Sequence, residues 1–153
     1  MILCFCFLYS CKYEDGPKIS LRSKTERLSN KWKINKAYIY YVENDVTTIT
    51  DDWEDATIEF KKNGDYIITK YNGDKTMKSE ETGSWEFHNK KKQILTKGTE
   101  LQIEVSSGNI IDDSNFETYY IIQKLKENEV NIFFVHNAST GNPINEHLEL
   151  IPF

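Results

Sequence analysis

Few side chains here are typed and spaced for chemistry. The three histidines are His88, His136 and His147. The only crowded set is His147 with Glu149 two residues on, sharing its strand face, and Glu146 opposite. One imidazole and one carboxylate fall short of the three or four ligands zinc takes, so this stretch reads as solvated surface and no metal site is expected. His88 and His136 lie near strand ends without a legible partner. The spacings His-Glu-x-x-His, Gly-x-Ser-x-Gly and Gly-x-Gly-x-x-Gly are absent, as is a phosphate loop. The 24 Asp and Glu residues are plentiful, but nothing in the sequence brings two of them to glycosidase separation. The expectation is a binding protein, not an enzyme, with no cofactor.

Cys4, Cys6 and Cys11 all fall within the first eleven residues, and residues 12–153 contain no cysteine. The folded part therefore has no disulfide or thiol chemistry and must rest on an apolar core. Ile2 to Leu8 is wholly apolar but only seven residues long, against the ~20 a membrane-spanning helix needs. It fits the apolar stretch of a secretory signal instead; with no Lys or Arg before it, that signal is expected to begin upstream of Met1. The alternative is a buried N-terminal strand of an intracellular protein. Leu8-Tyr9-Ser10-Cys11 resembles the lipobox of bacterial lipoproteins. The resemblance implies a signal peptide over residues 1–10, cleavage before Cys11, and diacylglycerol thioether-linked to Cys11. It places the protein on a membrane of the bacterial cell envelope, as an outer membrane lipoprotein facing the periplasm or the cell surface. Lys12-Tyr13-Glu14-Asp15 is similar to the short lysine-plus-acidic signal that sends some lipoproteins to the surface of certain Gram-negative bacteria.

Residues 11–22 carry Gly16 and Pro17 with no sustained apolar period and read as the lipidated cysteine plus a flexible tether. Twenty residues separate Cys11 from Trp32, an r.m.s. span of roughly 25 Å if flexible. Residues 23–153 suit one domain. Net charge is −5 and aromatic content 13%, which indicates a globular chain without the basic stripe that nucleic-acid binding requires. Lys90-Lys91-Lys92 reads as a solvated hairpin tip.

The elements that must position any site are strands. Ser23-Lys24-Thr25-Glu26 has capping-box spacing and predicts a short helix through Leu28. From Lys31 to Val42 the chain alternates, with Trp32, Ile34, Tyr38, Tyr40 and Val42 on one face. Residues 56–61 and 65–71 flank Asn63-Gly64, a strong hairpin signal, and Asn72-Gly73 repeats it. Residues 83–87 with 93–96, and 118–125 with 130–135, read as two further hairpins. A last strand runs from Ile144 to Ile151, with a further one over 101–105. The fold class is all-β: one eight- or nine-stranded antiparallel meander, either a barrel or a sandwich. Closing it into a barrel would remove two edges that otherwise invite aggregation.

Trp32 opening the first strand, Ile58-Glu59-Phe60 followed by Asn63-Gly64-Asp65-Tyr66, Gly83-Ser84-Trp85-Glu86-Phe87, and Ile122 to Leu125 followed by Val130 and Ile132 carry a second resemblance. In this order they look like the lipocalin-like lipoproteins of Bacteroidota-type bacteria, small up-and-down barrels behind a lipobox and tether. Asn30 stands where lipocalins usually carry glycine. The resemblance implies an interior bearing Trp32, Ile34, Tyr38, Tyr40, Phe60, Trp85, Phe87 and Tyr120. Such an interior could bind a small hydrophobic ligand or be filled as core. With a filled core, the loops would instead contact a surface protein or glycan partner. Trp53, among Asp51, Asp52, Glu54 and Asp55, reads as a rim residue for such a contact or as a cap folded over the barrel.

Overall fold

The computed structural model describes residues 21–41, 46–49, 53–71, 74–103, 110–137 and 143–153. The signal segment, Cys11, the tether as far as Ser20, Val42, the Asp51-Asp52 pair and the Asn72-Gly73 turn lie outside the described residues. One helical turn, α1 (Lys24–Leu28), begins at Ser23 with a reciprocal cap. Ser23 Oγ accepts from the Glu26 amide at 3.1 Å, and Glu26 Oε2 accepts from the Ser23 amide at 2.7 Å. Nine strands follow: β1 (Lys31–Tyr41), β2 (Val46–Ile49), β3 (Thr57–Phe60), β4 (Asp65–Tyr71), β5 (Met77–His88), β6 (Gln93–Ile103), β7 (Ile110–Leu125), β8 (Val130–Asn137) and β9 (Pro143–Pro152).

All pair antiparallel with their neighbours, and β9 returns to pair with β1, so the sheet closes into a barrel. β2 and β3 share one place in it. β2 pairs with the far half of β1 (Tyr38↔Ile49) and β3 with the near half (Trp32↔Ile58), so nine strands fill eight positions. An eight-stranded barrel leaves an interior just wide enough for side chains or one small ligand. The strand expected over 101–105 is not separate: β6 continues through Leu101 to Ile103 and stays paired with β7 throughout. One ladder is short for the length of its strands. β7 and β8 pair from Leu125↔Val130 to Ile121↔Phe133; beyond that, no pairing joins β7 to β8 among the described residues.

The turns at one end are tight. Asn63-Gly64 makes its hairpin with only Gly64 at positive φ (93°); Asn63 Oδ1 instead accepts from the Asp65 amide at 3.1 Å. Between β5 and β6, Asn89, Lys90 and Lys91 have φ of 46°, 54° and 64°, three successive left-handed residues without a glycine. At that end the interior is apolar and filled. Leu28, Trp32, Ile58, Ile94, Leu125, Val130, Ile132, Leu148 and Leu150 are fully buried, with Phe60 and Tyr66 nearly so. The Trp32 indole N–H donates to the Leu28 carbonyl and that of Trp85 to the Lys61 carbonyl, both at 2.9 Å. α1 closes this end, and Arg27 Nη1 donates to the Leu125 carbonyl at 2.9 Å.

Candidate functional site

From the other half of the interior a cavity of about 620 Å³ opens onto the outer face. Its position follows from two irregularities. The β2–β3 interruption lets Trp53 turn inward from the connection, where it is only 6% exposed. The short β7–β8 ladder leaves a lateral cleft, so the cavity runs from the interior past Thr118 and Tyr120 to the outer face at Tyr119, Ile121 and Val135.

Three aromatic rings form one wall. Phe134 packs edge-on against Tyr120 (centroids 5.0 Å apart) and against Trp53 (6.3 Å). Lys70 Nζ lies 4.3 Å from the Trp53 ring centroid, a cation–π contact. The Trp53 indole N–H donates to Glu146 Oε2 at 2.9 Å.

Carboxylates complete the lining. Glu81 and Glu100 stand directly opposite each other across β5 and β6, an unfavourable pairing for like charges. Glu81 is 9% exposed, and its Oε1 has no hydrogen-bond partner among the described residues. Burial, reinforced by Glu100 and opposed by Tyr66 and Lys70, pushes its carboxyl up to about 7. Tyr66 Oη lies beside Glu81 and Thr96, also with no hydrogen bond completed among the described residues, and burial pushes its hydroxyl up. Room for that ring is made by glycine: a Cβ on Gly98 would sit 2.5 Å from Tyr66 Oη and 2.2 Å from the Thr82 carbonyl. Tyr120 is likewise raised by burial.

Of the residues expected inside, Trp32, Phe60, Trp85 and Tyr120 are buried, and Ile34 and Phe87 are partly buried against the same cluster. Only Tyr120 lines the cavity; the others belong to the filled end. Tyr38 and Tyr40 are corrections. The β1–β9 register shifts between Ile34 and Lys36, which inverts the alternation so that Ala37 and Ile39 are buried instead. Tyr38 and Tyr40 line a groove of about 470 Å³ on the outer face with Phe133 and His147. Trp53 is corrected too: as a rim residue it would be exposed, whereas its indole is buried and bonded to Glu146.

His147 packs edge-on against Tyr38 with centroids 5.8 Å apart. Partial burial lowers its pKa, with Lys124 adding to this and Glu149 opposing it. Among the described residues no three His, Cys, Asp or Glu side chains group closely enough to hold a metal ion, and no helix is long and apolar enough to cross a membrane.

Glu81, Glu100, Glu146, Lys70 and Phe134 are site residues that the sequence reading passed over. The available signal was parity. Glu146 is in step with Leu148 and Leu150, Glu81 with Trp85 and Phe87, and Glu100 with Ile94. No protein-family model matches the chain, and no curated protein matches it.

Proposed function

We propose that this chain is a lipocalin-like lipoprotein of the bacterial cell envelope, anchored in the outer membrane through acylated Cys11, whose barrel binds a small, largely apolar molecule without transforming it. The cavity carries this reading. Its volume of about 620 Å³ falls in the range of small-molecule sites, and an aromatic wall with a few convergent polar groups is their usual lining. The cleft between β7 and β8 supplies an entrance. Anchoring rests on the sequence: several acyl chains, each gaining about 0.8 kcal/mol per buried methylene, hold a protein stably where one chain is marginal.

Native mass spectrometry of the full chain, purified from membranes of its own host, tests the binding reading. A small adduct that is lost on Trp53→Ala supports it; a bare mass overturns it. Cys11→Ala should release the protein from the membrane fraction, and retention there would remove the anchor. A second reading, contact between the barrel's exterior and a surface protein or glycan, has one observation behind it: the outer groove of Tyr38, Tyr40, Phe133 and His147. A bare mass together with a surface partner lost on Tyr38→Ala would favour it.

A further inference from the structure

We propose that the ligand of this cavity is an organic amine, with its aromatic or apolar body against Trp53, Tyr120 and Phe134 and its ammonium group received by Glu81. This deepens the small-molecule reading and rests on it. The inward lining has one cation, Lys70, against three carboxylates, Glu81, Glu100 and Glu146, so the space carries a negative charge excess once they are ionised. Glu81 is the informative member. It is nine-tenths buried, borders the cavity, and has an oxygen with no partner among the described residues. A buried carboxylate in that state is costly, and a charge-assisted hydrogen bond from an ammonium group would offset both the desolvation and the opposition of Glu100.

The aromatic wall suits the same class. Lys70 already places one ammonium group against Trp53, so the site accepts a cation beside its rings. A metal ion is the poorer fit, because no three ligating groups converge among the described residues. An organic cation needs only one carboxylate and a surface for its body. The groups facing Glu81 are Tyr66 and Lys70 from β4, Glu100 from β6 and Tyr120 from β7. Among them only Lys70 is cationic, and Tyr66 and Tyr120 stay protonated because burial raises both. Amine binding should therefore strengthen as pH rises through about 7, where Glu81 ionises.

Calorimetric titration of the full chain with 2-phenylethylamine, 2-phenylethanol and 3-phenylpropionate at pH 8 tests this. The amine is expected to bind one to one, the alcohol at least about tenfold more weakly, and the acid not at all. Glu81→Gln keeps the side chain's shape and should bring the amine down to the alcohol's affinity; Glu100→Gln should have a smaller effect in the same direction. If the alcohol binds as tightly as the amine, or Glu81→Gln leaves amine affinity unchanged, the amine assignment fails while the small-molecule reading stands. If none of the three binds, the amine assignment fails, and the small-molecule reading is decided by the native mass spectrum.

Discussion

The two halves of the barrel interior are built on the same strands, yet their tryptophans meet different partners. At the filled end, the Trp32 and Trp85 indoles donate to the backbone carbonyls of Leu28 and Lys61, and aliphatic side chains pack around them. At the cavity end, the Trp53 indole donates to the Glu146 carboxylate, and Lys70, Glu81 and Glu100 share the space. The first arrangement satisfies polar atoms with groups the fold must place there anyway. The second buries charge that packing does not need and that apolar residues of similar volume would stabilise better. The filled half holds the barrel together, and the cavity half gives up stability that an apolar filling would supply.

Truncating a tryptophan at each end tests that division most severely. Trp32 is fully buried, so Trp32→Ala should lower unfolding free energy by about 3–5 kcal/mol in urea titrations. Trp53→Ala should be markedly milder, because it widens an existing cavity instead of opening a sealed void. Equal losses would mean that Trp53 is core like Trp32 and that the contrast between the ends is false.

Glu81 gives the next largest effect, and its sign depends on pH. Its carboxyl is raised from 4.5 to about 7 in the folded chain, so between those values the folded state holds a proton that the unfolded chain has lost. Stability therefore falls as pH rises from 4.5 to 7. At about 1.4 kcal/mol per pH unit the loss is on the order of 3 kcal/mol. Glu81→Gln should be more stable than the parent by up to that amount at pH 8, and close to it at pH 4. Paired urea titrations at the two pH values measure the difference. A gap independent of pH would remove the buried ionisable carboxyl from the account.

How much of this was legible in the sequence differs between the halves for a physical reason. At the filled end, apolar periodicity, the Asn63-Gly64 turn and the Ser23 to Glu26 spacing are local signals, and they locate strands, hairpins and the Trp32, Phe60 and Trp85 core. Closure of β9 onto β1 is not local, and an irregularity at Ile34/Lys36 leaves no mark in residue type. Alternation therefore keeps step as far as Ile34 and then puts Tyr38 and Tyr40 on the wrong face. The cavity end was harder still. Glu81, Glu100 and Glu146 share parity with buried residues, but a glutamate ordinarily signals solvent, and parity alone does not overrule residue type. For Trp53 the flanking acids left an exposed rim and a cap folded over the barrel both open, and a connection between β2 and β3 long enough to turn inward takes the indole to Glu146.

The smallest effect concerns the cover over the filled end. Ser23 Oγ caps α1 by accepting from the Glu26 amide at 3.1 Å, so Ser23→Ala should cost about 1 kcal/mol. The loss reaches the core through Leu28, whose carbonyl holds the Trp32 indole. It is also sensitive to acid. Glu26 is held below its ordinary value chiefly by hydrogen bonding to the Ser23 amide and hydroxyl, so that contribution is complete above pH 4.5 and disappears as pH falls through the depressed folded value. Ser23→Ala keeps the amide and loses only the hydroxyl's share, so its penalty, read from urea titrations, should be slightly larger at pH 7 than at pH 3. Affinity for 2-phenylethylamine should be unchanged, because the cap lies at the opposite end of the barrel from Glu81. If affinity fell along with stability, the halves would be one cooperative unit, and the polar cavity would have to be explained as part of the packing that α1 secures.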